Sequence, residues 1–92
     1  MVHLKKTVSL MSHPAIYRVR ISGQLSPHWA DYLQGMAVVI EETGDQSTVT
    51  EIMGRLPDQA ALMGILQHLY NCSIPLLSVE CLEICNTKGG VK

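Results

Sequence analysis

The sequence predicts a small α+β domain, a two-layer sandwich of the ferredoxin-like βαββαβ kind with a short first helix. Three observations lead there. Residues 16–22 alternate apolar and polar side chains, residues 58–71 carry apolar side chains at helical spacing, and two β-branched stretches joined by Thr43-Gly44-Asp45 lie between them. A β-meander of the first three strands, followed by one helix and a final strand, is the competing arrangement, because the link from Leu25 to Gly35 is near the lower limit for a parallel crossover.

Each element has its own local reason. In the first strand Tyr17, Val19 and Ile21 fall on one face and Arg18, Arg20 and Ser22 on the other, the pattern of a half-buried strand. Ser26-Pro27 predicts a short helix, with serine as cap and proline at the first helical position, closed by Gly35 after about eight residues. Met36 to Glu42 predicts a second strand and Ser47 to Met53 a third, joined as a hairpin. Val49 and Ile52 are three apart, so the third strand is expected to carry a bulge or to lie at an edge. Pro57-Asp58 opens the main helix, in which Leu62, Ile65, Leu66 and Leu69 form one stripe. Leu76 to Ile84 predicts the fourth strand. The domain is expected over residues 15–85, between an arm or extra edge strand at 1–14 and a flexible tail at 86–92.

Composition narrows the function. The 92 residues are 47% hydrophobic and 16% charged, with seven Lys and Arg against eight Asp and Glu, one Trp, three Tyr and no Phe. A chain without basic excess or an aromatic platform is a poor nucleic-acid binder. Lys5-Lys6 before Val8 to Met11 is too short an apolar run for a secretory leader, and no run approaches membrane-spanning length, so a cytoplasmic protein with no membrane partner is expected. Three cysteines, Cys72, Cys81 and Cys85, form no paired framework. No cofactor is expected. No metal is either, because a four-residue spacing on a strand holds Cys81 and Cys85 about 13 Å apart.

The candidate binding residues are polar or aromatic. Arg18 and Arg20 either pair with glutamates across the sheet or line a site for a carboxylate or phosphate. His28, Trp29 and Asp31 share the short helix; a histidine beside a carboxylate could act as a base, whereas the tryptophan by default plugs the end of a small core. Asp58 and Gln59 start the long helix, as cap and neighbour or as ligand contacts. No paired nucleophile or oxyanion donor accompanies them, so no catalytic residue is assigned.

One long helix and a stub cannot cover both faces of four strands. In the last strand Leu77, Val79 and Cys81 are expected to face the helices, while Leu76, Leu82 and Ile84 fall on the other parity. Burying each is worth roughly 1.5–3 kcal/mol, so a partner surface is expected there. Gly64, costly inside a helix, is expected to admit a close neighbour at the same kind of interface. The sequence thus predicts a homo-oligomeric interaction or scaffold module, a dimer being simplest, with a further protein partner possible. The competing class is a dimeric small-molecule binding protein or enzyme with its pocket near the tryptophan helix.

The stretches Tyr17 to Met36 and Asp58 to Glu83 resemble a group of short uncharacterised bacterial proteins. Gly23, Leu25, Trp29, Asp31 and Gly35 match one segment of that pattern; Asp58, Gln59, Ala60, Ala61, Leu62, Gly64 and Leu66 match a second, and Leu77, Ser78 and Val79 a third. This chain has Met63 where the pattern usually has a histidine, and Asn71-Cys72-Ser73 where it often has a glycine turn. The resemblance implies no activity.

Overall fold

A computed structural model describes residues 12–33, 35–45 and 47–85. The expected arm, up to residue 11, and the expected tail at 86–92 lie outside the described residues. The elements follow in the order β1 (Ala15–Ser22), α1 (Trp29–Tyr32), β2 (Ala37–Glu42), β3 (Thr48–Leu56), α2 (Gln59–Asn71) and β4 (Leu76–Ile84). The four strands form one antiparallel sheet in the order β2-β3-β1-β4. β1 and β2 are therefore separated by β3, and β3 and β4 by β1. That order removes the meander, in which β1 would lie beside β2.

β1 is buried as its alternation predicts, with Ala15, Tyr17, Val19 and Ile21 in the core. β3 departs from expectation. It is an interior strand paired in unbroken register with both β1 and β2, so it is neither an edge nor bulged. The apparent break in its pattern arises because Thr50 takes the inward place between Ile52 and the sheet end. Its side chain is fully buried, and its hydroxyl donates to the carbonyl of Gly23. A hydroxyl with a fixed acceptor is tolerated in a core. Gly23 turns the chain out of β1 at φ +95°, a left-handed value that side chains avoid.

The short helix is one turn rather than two. Ser26 does not cap it; the N-cap position is His28, without a side-chain cap bond, and the Ser26 hydroxyl lies 3.3 Å from the His28 ring nitrogens. Gly35, at φ +81°, then reverses the chain into β2.

α2 begins as expected: the Asp58 carboxylate accepts from the Ala61 amide at 2.9 Å. Removing such a cap costs about 1 kcal/mol (range about 0.5–2). Asp58→Ala is expected to lower the unfolding free energy to that extent while leaving the oligomeric mass unchanged, measured by thermal unfolding beside light scattering. The helix ends in a Schellman-type turn: the Ser73 amide donates to Tyr70 O at 2.9 Å and the Ile74 amide to Leu69 O at 3.0 Å. Ser73 adopts φ +59°, where glycine is the usual occupant, so the serine keeps the turn geometry at a conformational cost.

The β2–β3 turn is tied by Asp45, whose carboxylate accepts from the Thr43 hydroxyl and from the Ser47 amide at 3.2 Å. The Thr43 hydrogen bond first, and those from Ser47 next, hold the carboxyl below its ordinary 3.8. A depressed folded value contributes stability above the unfolded value and loses it as pH falls through the lowered one. Asp45→Ala is accordingly expected to be less stable than wild type near neutrality, the gap closing as the pH is taken below 3.8, in paired denaturation series across that range.

The fourth strand corrects the expected parity. Its pairing with β1 shifts between Ile16 and Tyr17 and again between Arg20 and Ile21, making Leu82 and Leu77 the extra residues. Leu76, Val79, Cys81 and Ile84 thereby sit opposite Ile21, Val19, Tyr17 and Ala15, the buried side of β1. Leu76 and Ile84 thus belong to the helix-facing side, not the other. α2 still leaves them open, at 48% and 42% exposure. The other sheet face is mixed: ion pairs Arg18–Glu80 (2.6 Å) and Arg20–Glu51 (3.2 Å) cross it among the apolar side chains of Ile16, Val39, Val49 and Met53.

Candidate functional site

Concavity and aromatic contact come together where α1 meets α2 and β2. Trp29 is 4% exposed, with its ring edge-on to Tyr32 (centroids 5.5 Å apart) and to His68 of α2 (4.6 Å). Tyr32 lies over His68 at 4.7 Å. The one-turn helix is therefore held by ring contacts across elements rather than by its own ladder, since so short a helix has little stability of its own. In the sequence His68 shows only as a residue of the polar side of the long helix; its part here depends on the packing of two elements distant in sequence.

Outside this cluster lies a shallow recess of about 190 Å³, lined by Leu25, Ser26, Pro27, Trp29, Ala30, Leu33 and Val38. All but Val38 come from the β1–β2 connection, so the recess opens beside β2 at the margin of the sheet. Of the lining side chains, Ser26 and Trp29 alone carry a polar atom. Such a lining suits an apolar side chain.

The predicted site residues do not converge. Arg18 and Arg20 share neither face nor partner with Trp29; they lie on the opposite sheet face, held by Glu80 and Glu51. His28 is exposed and turned toward Ser26, and Asp31 is exposed. Asp58 is occupied as a helix cap, with Gln59 half-buried behind it. Among the described residues of its own chain, a Cβ built at Gly64 would meet the Tyr32 hydroxyl, at 3.9 Å, and no backbone of another element within 4 Å. Among the described residues no three His, Cys, Asp or Glu side chains gather to hold a metal. No helix of the described residues is long and apolar enough to cross a membrane.

No curated protein and no solved structure matches this chain. Residues 16–80 match a family described as a domain of unknown function, DUF8691. The match spans most of the chain, which therefore belongs to that family.

Proposed function

We propose that this member of the family is a cytoplasmic homo-oligomeric interaction or scaffold module without catalytic activity, the dimer being its simplest form. One observation carries the reading: every large apolar side chain on the two edge strands, β2 and β4, is between 38 and 54% exposed. Covering a Leu, Ile or Val is worth roughly 1.5–3 kcal/mol when complete, and exposed apolar edges are the places where chains pair. Leu76, Leu82 and Ile84, the strand residues expected at an interface, stand among them. The interleaving of β1-α1-β2 with β3-α2-β4 supports a ferredoxin-like description with a one-turn first helix. A small-molecule site is less well supported, because about 190 Å³ falls short of the roughly 300 Å³ at which ligand pockets begin.

Light scattering at micromolar concentration tests the reading. The expected mass is at least twice 10.1 kDa. A single species at 10.1 kDa would contradict it.

A further inference from the structure

The two sheet edges differ in their fitness for pairing. β4 is interrupted by two register shifts and carries Glu80 and Glu83, devices that blunt an edge. β2 pairs with β3 in unbroken register and presents Val38, Val39 and Ile40 at 44, 49 and 50% exposure. Its two glutamates, Glu41 and Glu42, stand together at one end.

Hydrogen-bond phase fixes what the free edge offers. The Thr43 amide donates to Ser47 O at 2.8 Å, so Thr43 and Ser47 form a hydrogen-bonded pair. Such pairs alternate along an antiparallel ladder, so Val39 and Glu41 turn their backbone groups to β3 while Val38 and Ile40 turn theirs outward. We propose that two copies of this chain join their sheets antiparallel through β2, about a twofold axis at Val39, with Ile40 of each copy filling the recess beside Val38 of the other.

Register and charge select this arrangement. Centring on Val39 sets Val38 opposite the second copy's Ile40, so the outward amides and carbonyls of those residues bond to one another. Both side chains then lie on the helix-facing side of the joined sheet, because Val38 and Ile40 share the face of Ile52 and Thr50, their partners on β3. That is where Val38 borders a recess lined by Leu25, Pro27 and Trp29, an apolar hole beside an apolar knob. The same centring puts Glu41 opposite Ala37, with no like charges facing. Moving the centre one residue to Ile40 would set Glu42 against Val38 and close a carboxylate over the recess. A parallel pairing in register would set Glu41 against Glu41.

This inference rests on the oligomeric reading above, and the experiment separates the two. Val39→Cys is made in a chain whose Cys72, Cys81 and Cys85 are replaced by serine. At the axis the two Val39 positions form a non-hydrogen-bonded pair with Cα atoms about 4.5 Å apart, within the range a disulfide bridges. Mild oxidation is expected to convert the variant to a linked pair of twice the chain mass on a denaturing gel. Ile40→Lys, which adds a charge to the edge, is expected to bring the light-scattering mass down to 10.1 kDa with the circular dichroism spectrum unchanged. Ile40→Pro, which removes an outward amide while sparing the bonds to β3, is expected to do the same, and it keeps the test readable should the lysine variant misfold. A wild-type chain that is already a monomer overturns both readings. If the wild type associates but the Val39→Cys variant fails to link, or the folded Ile40 variants stay associated, the module reading stands and the β2 pairing falls.

Discussion

Trp29→Ala is expected to lower unfolding free energy by about 3–5 kcal/mol, the usual cost of emptying a buried aromatic site. Trp29 is 4% exposed and touches both Tyr32 and His68, so truncation removes the contact that fastens α1 to α2 as well as the packed volume. For a domain of this size each kcal/mol shifts the melting temperature by about 4–8 °C, which predicts a fall of at least ~12 °C. Urea unfolding followed by far-ultraviolet circular dichroism measures it, since the mutation deletes the chain's one tryptophan. Trp29→Phe, which keeps a ring, is expected to lose clearly less. Equal losses in the two variants would mean that ring contact contributes nothing.

Gly54→Ala is expected to cost about 1–3 kcal/mol, the range for overpacking a filled site. A Cβ at Gly54 would stand 2.9 Å from Met36 Cγ and 3.1 Å from Met36 Cα. The Cγ belongs to a flexible side chain and can move, but the Cα can move only with the backbone that leads into β2. The double variant with Met36→Ala is therefore expected to recover part of the loss: Gly54→Ala should cost less in that background than in wild type. Additive costs in a double-mutant cycle would show that the two residues do not compete for space. Because the collision falls at the entry to β2, the same substitution is also expected to weaken any assembly built on that strand.

Much of the fold is legible in the sequence because its signals are local. The face of β1 follows from its period-two alternation, and the start of α2 from Asp58 three residues before Ala61. The parity of β4 is not legible, because one extra residue in a period-two pattern reverses every side chain beyond it, and Leu77 and Leu82 resemble ordinary strand residues. β3 misleads for a related reason: Thr50 reads as an outward polar residue until its acceptor, the Gly23 carbonyl, is brought beside it by the fold. Ser26-Pro27 signals the start of a turn but carries no information on how far it continues, and α1 proves shorter than that signal suggests. At the candidate site, Trp29 stands out by type, while His68 and the recess arise only when segments distant in sequence are packed together.

The interleaved strand order also constrains the sequence of events by which the chain acquires its shape. β2 and β3 are neighbours along the backbone and can zip as a hairpin on their own, within microseconds by the usual timescale. β1, flanked by β3 and β4 inside the sheet, must hold both sides unmet until material from far downstream arrives: Arg18 finds Glu80 across 62 positions. Closing so large a span before any reward is collected slows the search. During synthesis, then, β1 is the first of the described strands to be made and the last to be completed, and through that interval its bare margins are the kind of surface that chaperones cover.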